Sequence, residues 1–366
     1  MKIIVTGGAG FIGSNAVSRY LRRGDDVVII DNLSRPGVEN NLEWLQQQGD
    51  PHFMQIDIRD AARVAKAFAA HRDAGMVLHL AGQVAVTTSV SDPRADFEAN
   101  ALGTFNVLEA IRLAKIDAPV IYSSTNKVYG GMESVRVRED ESRYVYADLP
   151  HGISEDRALD FHSPYGCSKG AGDQYMRDYH RIYGLKTVVF RQSCIYGYRQ
   201  FGLEDQGWVA WFTIATQLGH PVKIYGDGKQ ARDILFVEDL LDAYDAAAAN
   251  IRQAAGRIYN IGGGPENVIS LVNLLDYLQN QEGDPVPYSH CDWRPGDQRV
   301  YISDIRRAQT ELDWSPRIGW QQGLTLLYDW VTANLDLFST AIQTDQLPIN
   351  YPAPQMAITP AQITVT

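Results

Sequence analysis

Gly7-Gly8-Ala9-Gly10-Phe11-Ile12-Gly13 is the stretch on which the fold turns. It follows a β-branched run at residues 2–6 and opens a helical pattern reaching about Arg23, after which 27–30 form a second apolar run ending at Asp31. Strand, glycine turn, helix and strand make a β-α-β unit. The glycines permit a tight turn and a close backbone approach to a pyrophosphate at the helix N-terminus, where orphan N–H groups favour an anion. Glycines at this spacing alone mark only a turn. Here the strand before them, the helix after them and the acid closing the next strand agree.

Outward from this unit, apolar runs at 76–80, 120–122 and 187–191 alternate with helical patterns at 60–70, 95–113 and 168–183. Alternation of this kind predicts an α/β fold, a Rossmann-type doubly wound parallel sheet covered on both faces. From Ile195 the pattern loosens into turn-rich segments, YGDGKQARD at 225–233 and NIGGGPEN at 260–267, between helices near 208–218 and 237–250. We therefore expect a Rossmann domain over 1–194, with 230–260 contributing to it, and a smaller, partly interleaved C-terminal substrate-binding domain over 195–340. Residues 345–366, with Pro348, Pro352, Pro354 and Pro360, read as an irregular or disordered tail.

Composition removes several classes. A formal net charge of −11 over 366 residues argues against nonspecific nucleic-acid binding, which rests on an excess of Lys and Arg over phosphates. Cys167, Cys194 and Cys291 form no close pair, and no His cluster stands at metal-ligand spacing, so they are expected to be reduced packing thiols with no metal site. The N-terminal apolar stretch is too short for a signal peptide, and no segment approaches about 18 uninterrupted apolar residues. The expectation is a cytoplasmic protein with neither membrane nor nucleic acid as a partner.

Asp31 lies about 20 residues beyond the glycines, where a carboxylate accepts hydrogen bonds from adenosine ribose hydroxyls and repels a 2′-phosphate. The expected cofactor is NAD rather than NADP. Ser34-Arg35 just downstream offers a site for such a phosphate or for the substrate. Asp57-Ile58 are candidates for the adenine, with capping of the helix at 60–70 as the alternative for Asp57.

Tyr165 and Lys169 in SPYGCSKG are four apart and share one helix face. A tyrosine with an ordinary pKa near 10 is a poor base at neutral pH. A nearby ammonium and the positive nicotinamide ring both favour phenolate, which takes a proton from a substrate hydroxyl as hydride leaves its carbon. YxxxK alone is common by chance. The strand at 120–122 singles this one out by leading into Ser123-Ser124-Thr125 at the carboxyl edge of the sheet, where ligands bind in open α/β folds. Thr125 is placed to hold the hydroxyl and relay its proton to Tyr165.

TGGAGFIG at 6–13, HLAGQ at 79–83, SSTNKVYG at 123–130, YxxxK at 165–169 and RDILFVED at 232–239 together resemble the extended short-chain dehydrogenase/reductase family of nucleotide-sugar epimerases and dehydratases. The resemblance covers most of the chain. It implies a Rossmann domain carrying NAD and a smaller domain that grips a nucleotide diphosphate sugar. DNLSR at 31–35, GQVAVTTS at 82–89, DFHSPYGCSKG at 160–170, DQGWVAWF at 205–212 and DQRV at 297–300 are similar to those members that invert carbon 2 of a CDP-linked dideoxy sugar, as homotetramers with tightly held NAD.

By that resemblance Thr125, Tyr165 and Lys169 are catalytic. Gly7, Gly10, Phe11, Ile12, Gly13, Asp31, Asn32, Ser34, Arg35, Asp57, Ile58, Leu80, Ala81, Gln83, Asn100 and Ser123, with Tyr165 and Lys169, serve the cofactor. Thr87, Ser89, Thr125, Asn126, Lys127, Gln192, Arg199, Gln206, Arg232, Arg294 and Arg299 face the substrate. Of these, Arg232, Arg294 and Arg299 suit the CDP pyrophosphate through their forked guanidinium groups, with Arg199 a further candidate.

Dehydratases of this family resemble the chain but carry Asp-Glu after the threonine. Here Asn126-Lys127 stand there, and neither supplies the carboxylate pair that eliminates water. A UDP-hexose 4-epimerase shares the triad and cofactor; the segments at 84–89, 196–205 and 205–212 favour the 2-epimerase by resemblance alone. A noncatalytic NAD-binding module is the reading from another class, opposed by the intact triad. A homo-oligomer, dimer or tetramer, is expected across the helices at 95–113 and 168–183.

Overall fold

β-Branched and aliphatic runs assemble the centre of the molecule, whose computed structural model describes residues 1–204, 206–293 and 298–338. Strands β1 (Lys2–Thr6), β2 (Asp26–Asp31), β3 (His52–Gln55), β4 (Met76–His79), β5 (Val120–Thr125), β6 (Thr187–Gln192) and β7 (Ile258–Ile261) form one sheet in the order β7-β6-β5-β4-β1-β2-β3. Every neighbouring pair is parallel. Strands covered on both faces need apolar residues on both, which is why β4, β6 and β7 are buried along their whole length. Alternating side chains divide the core: Ile3, Val5, Ile29 and Phe190 pack on one face, Ile4, Val28, Val77 and Tyr122 on the other. The strand order reverses between β1 and β4, which opens a crevice at their carboxyl ends.

Helices α1 (Phe11–Arg22), α2 (Val38–Gln48) and α3 (Ala61–Ala70) connect the first strands. The chain beyond residue 194 returns to this layer: the Val237–Ala249 helix buries Leu240, Leu241 and Tyr244 in the same core, and β7 extends the sheet beyond β6. A second sheet centres on Ala231–Phe236, which pairs with Cys194–Tyr196, Val268–Ser270 and Val300–Tyr301. Helices Trp208–Gln217, Leu271–Glu282 and Trp320–Thr332 close a separate core around Ile214, Phe236, Leu274 and Leu327.

Several local expectations change. The helix expected over 95–113 is broken into Pro93–Phe97, a π-helical turn at Glu98–Leu102 and Gly103–Ala114. The wide turn accompanies an inward-facing Asn100, whose Nδ2 reaches Asp96 Oδ1 at 3.0 Å and Ser168 Oγ at 3.1 Å. The helix expected from 168 begins earlier, at Ser163, with Pro164 in its first turn, and carries both Tyr165 and Lys169. Of the segment 225–233 only 226–230 lies outside strands, since Tyr225 ends strand Val222–Tyr225 and Ala231 opens the central strand of the second sheet. The expected tail at 345–366 lies outside the described residues. Cys167 is exposed rather than packed. Among the described residues no helix is long and apolar enough to cross a membrane, and no cluster of potential metal ligands occurs.

Candidate active site

A cleft of about 1330 Å³ opens over the β1/β4 crevice, with the glycine turn as its floor. Gly7 adopts φ +73°, and a Cβ there would stand 2.7 Å from the Ala81 nitrogen. At Gly13 a Cβ would collide with the Gly7 carbonyl and lie 2.7 Å from Gly8 Cα, so α1 packs onto the turn only as glycine. Gly10 precedes α1 with no side-chain cap, which leaves the helix's first N–H groups to the cleft. A bare cradle with these donors and an acid beside it fits a dinucleotide pyrophosphate.

Asp31 closes β2 beside the turn, where Oδ2 accepts the Ala9 N–H at 3.0 Å and Oδ1 the Leu33 N–H at 2.9 Å. Burial raises its pKa from the ordinary value, and these backbone donors oppose the rise. Asp57 does not cap α3; Asp60 does, accepting from the Arg63 N–H. Asp57 instead binds the Arg59 fork at 3.0 and 2.8 Å and receives Asn32 Nδ2 at 2.9 Å, and Arg59 holds its pKa down at about 2. Phe11, Ile12, Asn32, Ser34, Ile58, Leu80, Ala81, Gln83 and Ser123 line the same cleft. Asn100 stands behind it, its Oδ1 accepting the Gln83 N–H at 2.9 Å.

Thr125 ends β5, and its hydroxyl faces the Tyr165 phenol. Tyr165 and Lys169 come from the first two turns of Ser163–Tyr183 and both line the cleft. Burial pushes the phenol up to about 12, while Thr125 and the more distant Arg35 favour its ionised form and Asp96 opposes it. Burial pushes the Lys169 ammonium down to about 7 against Asp96 and then Asp173. Its Nζ sits 4.3 Å from the Tyr122 ring centroid. A phenol with a hydroxyl facing it, and a lysine one helical turn further along the same cleft wall, form a set that can take a proton from a bound alcohol.

Other candidates separate. Gln192 Nε2 donates to Ser123 Oγ at 3.0 Å and to Tyr244 OH at 2.9 Å, which fixes it on the cleft wall. Arg35 reaches across the cleft to hydrogen-bond the Gln206 side chain. Lys127 and Arg232 both act on Cys194, which also meets Trp208, and none of these four is among the residues that line the cleft. Arg299 lies 5.1 Å from the Tyr144 ring and 5.7 Å from that of Trp293. Asn126 is buried beside Thr125. Helix Val86–Ser91 turns Thr88 toward the cleft; Ser89 binds its own Val86 carbonyl at 2.6 Å, and the Thr87 hydroxyl is buried away from solvent. Arg199 is stacked over Trp44 at 4.1 Å and Trp330 at 5.8 Å, outside the cleft lining. Arg294 lies outside the described residues.

The motifs omit Tyr122 and Asp96. Strand alternation puts Tyr122 with Ser124 on the face opposite Thr125, and only the packing of the Ser163–Tyr183 helix on that face brings Lys169 over its ring. Asp96 carries no local signal, because its role depends on a helix residue 72 positions away.

The family model for the NAD dependent epimerase/dehydratase family matches residues 3–262. CDP-paratose 2-epimerase of Salmonella typhi is 45% identical over 338 residues, which span 91% of this chain and 100% of that protein. UDP-glucose 4-epimerase of Thermotoga maritima, solved with UDP-glucose, superimposes with a TM-score of 0.78 at 32% identity, covering 92% of this chain and 100% of that one. The Thermus thermophilus UDP-glucose 4-epimerase, solved with NAD, gives 0.75 at 30% identity, covering 91% and 99%. With a parallel sheet, a glycine cradle and a Tyr165–Lys169 helix in a chain matched over nearly its full length, the protein belongs to the NAD dependent epimerase/dehydratase family.

Proposed function

We propose that this NAD-dependent nucleotide-sugar epimerase interconverts CDP-paratose and CDP-tyvelose by inverting carbon 2 of the sugar. The observation that carries the reading is the 45% identity to the Salmonella typhi CDP-paratose 2-epimerase over 91% of this chain. Asn126-Lys127 beside Thr125 supports it, because epimerisation needs no acid to expel water. When bound, NAD supplies the acceptor that takes hydride from the sugar carbon and the donor that returns it to the other face.

In this reading Thr125 orients the substrate hydroxyl and passes its proton to Tyr165, which gives it back after the sugar presents its second face. Lys169 stabilises the phenolate by charge. The α1 N–H groups and Arg35 serve the cofactor phosphates, and Asp31 its adenosine ribose. Lys127, Arg232, Arg299 and Gln206 serve the nucleotide sugar. The same reading makes the protein a homo-oligomer, with exposed Phe105, Leu113, Tyr175 and Ile182 on the Gly103–Ala114 and Ser163–Tyr183 helices forming a two-fold contact.

The test is proton NMR of the purified protein with CDP-paratose, UDP-glucose and UDP-galactose in parallel. Conversion of CDP-paratose to its carbon-2 epimer, with both UDP-sugars unchanged, is expected. Turnover of a UDP-sugar instead transfers the assignment to a 4-epimerase.

A further inference from the structure

A carboxylate outside every motif lies beneath the Tyr165–Lys169 pair. Asp96, in the short helix Pro93–Phe97, is only 1% exposed. Its Oδ2 accepts Ser168 Oγ at 2.5 Å, and its Oδ1 accepts Asn100 Nδ2 at 3.0 Å. Both partners are neutral. Ser168 precedes Lys169, and its Oγ lies 3.2 Å from the Tyr165 carbonyl. Asn100 in turn holds the Gln83 N–H of the cofactor loop at 2.9 Å. Asp96 therefore joins the helix that bears the proton-handling pair to the loop that lines the cofactor cleft.

An ammonium as buried as Lys169, 5% exposed, is costly without a counter-charge. No carboxylate among the described residues forms a close ion pair with Lys169; Asp96, hydrogen-bonded to the adjoining Ser168, and Asp173, one turn along the same helix, both favour its charged form from further off, while burial raises the Asp96 carboxyl itself. Asp173 is already engaged by the Arg191 fork at 2.8 and 3.0 Å. The other groups around the pair do not replace Asp96. His79 on β4 is kept neutral by burial, Tyr122 on β5 offers a ring face, and Arg35 acts on Tyr165 from across the cleft. The neighbouring Val86–Ser91 helix, VTTSVS, has no ionisable side chain.

We propose that Asp96 is a positioning residue and the fixed counter-charge of Lys169, holding it as an ammonium and, through Ser168 and Asn100, aligning Tyr165 and Lys169 with the cofactor loop. This rests on the reading of Tyr165 and Lys169 as the proton-handling pair. In the holoenzyme, Asp96→Asn keeps the shape and removes the charge, so Lys169 loses its proton more readily. The alkaline limb of the kcat–pH profile is expected to move down by about one unit. Ser168→Ala removes a hydrogen bond but keeps the charge, and lowers kcat with that limb in place. An unmoved limb in Asp96→Asn, or the same displacement in Ser168→Ala, overturns the proposal.

A stability cycle tests the charge pair without turnover. At pH 6, Asp96→Asn is expected to lower Tm in the otherwise unchanged protein and raise it in Lys169→Met, where the carboxylate has lost its counter-charge. Equal shifts in the two backgrounds overturn the pairing. Full activity in Tyr165→Phe would instead sink the functional reading on which the pH profile depends, leaving the Tm cycle to decide the charge pair.

Discussion

Arg191→Met removes one side of an ion pair that has almost no access to water. Arg191 and Asp173 are 2% and 0% exposed, joined by Nε–Oδ2 at 2.8 Å and Nη2–Oδ1 at 3.0 Å. The second Arg191 amino group reaches Tyr129 OH at 3.1 Å, and that hydroxyl donates to Asn260 Oδ1 at 2.7 Å. Ser124 Oγ also binds Asp173, at 3.0 Å. The pair thus ties the end of β6 to the helix of Tyr165 and Lys169 one turn beyond Lys169, and Ser124 ties the end of β5, next to Thr125, to the same carboxylate. Methionine leaves Asp173 buried with Ser124 and Gln174 as its remaining hydrogen-bond partners. Breaking one side of such a pair costs about 3–5 kcal/mol, because the other charge stays uncompensated. At roughly 2 °C per kcal/mol for a domain this large, Tm should fall by about 6–10 °C. Calorimetry of Arg191→Met, Asp173→Leu and the double variant measures it. The double variant should recover most of the loss, since an apolar pair of similar volume replaces a buried ion pair at little cost. A single-variant loss under about 1 kcal/mol, or losses that simply add, would refute the reasoning.

Tyr165→Phe should keep the fold and NAD while kcat falls by roughly 10²–10⁴, the usual contribution of a proton-transfer group; near-normal turnover would remove Tyr165 from the chemistry. Asp31→Ala should weaken NAD and narrow its margin over NADP in titration calorimetry, and an unchanged ratio would sink the ribose assignment. His79, bridging Thr6 Oγ1 at 2.7 Å and Thr104 Oγ1 at 3.0 Å, has its pKa lowered to about 3 by burial and then by Lys169. The unfolded chain therefore binds a proton that the folded chain refuses, so stability falls as pH drops below about 6.5, by up to about 1.4 kcal/mol per unit. Denaturant titrations between pH 7 and 5 should show a shallower slope in His79→Gln, and parallel slopes would contradict the assignment.

The local elements that could be read in advance are those whose causes lie within a few residues. β1, the glycine turn, α1 and Asp31 follow from steric limits on a short segment, and the apolar runs of the parallel strands announce burial on both faces. Pro164 would have marked the true start of the Tyr165 helix, because proline suits a first helical turn. β7 offers no such signal: IYNI beside three glycines reads as a turn until it pairs with β6. Arg199 looks like any other basic candidate, and only the approach of Trp44 and Trp330 from opposite ends of the chain places it in an aromatic cage.

What the residues by themselves determined was the glycine turn between strand and helix, the acid that closes the next strand and the choice of Thr125, Tyr165 and Lys169 as candidates for one chemical set, since those depend on backbone sterics, charge and intrinsic reactivity. Tertiary structure alone decided that Asp96 meets Ser168 beside Lys169 in the chain, that Arg191 neutralises Asp173 and that Arg35 meets Gln206 over the cleft. Each of these joins groups far apart in the chain, and a buried charge takes its energy from the partner that packing brings to it rather than from its neighbours in sequence.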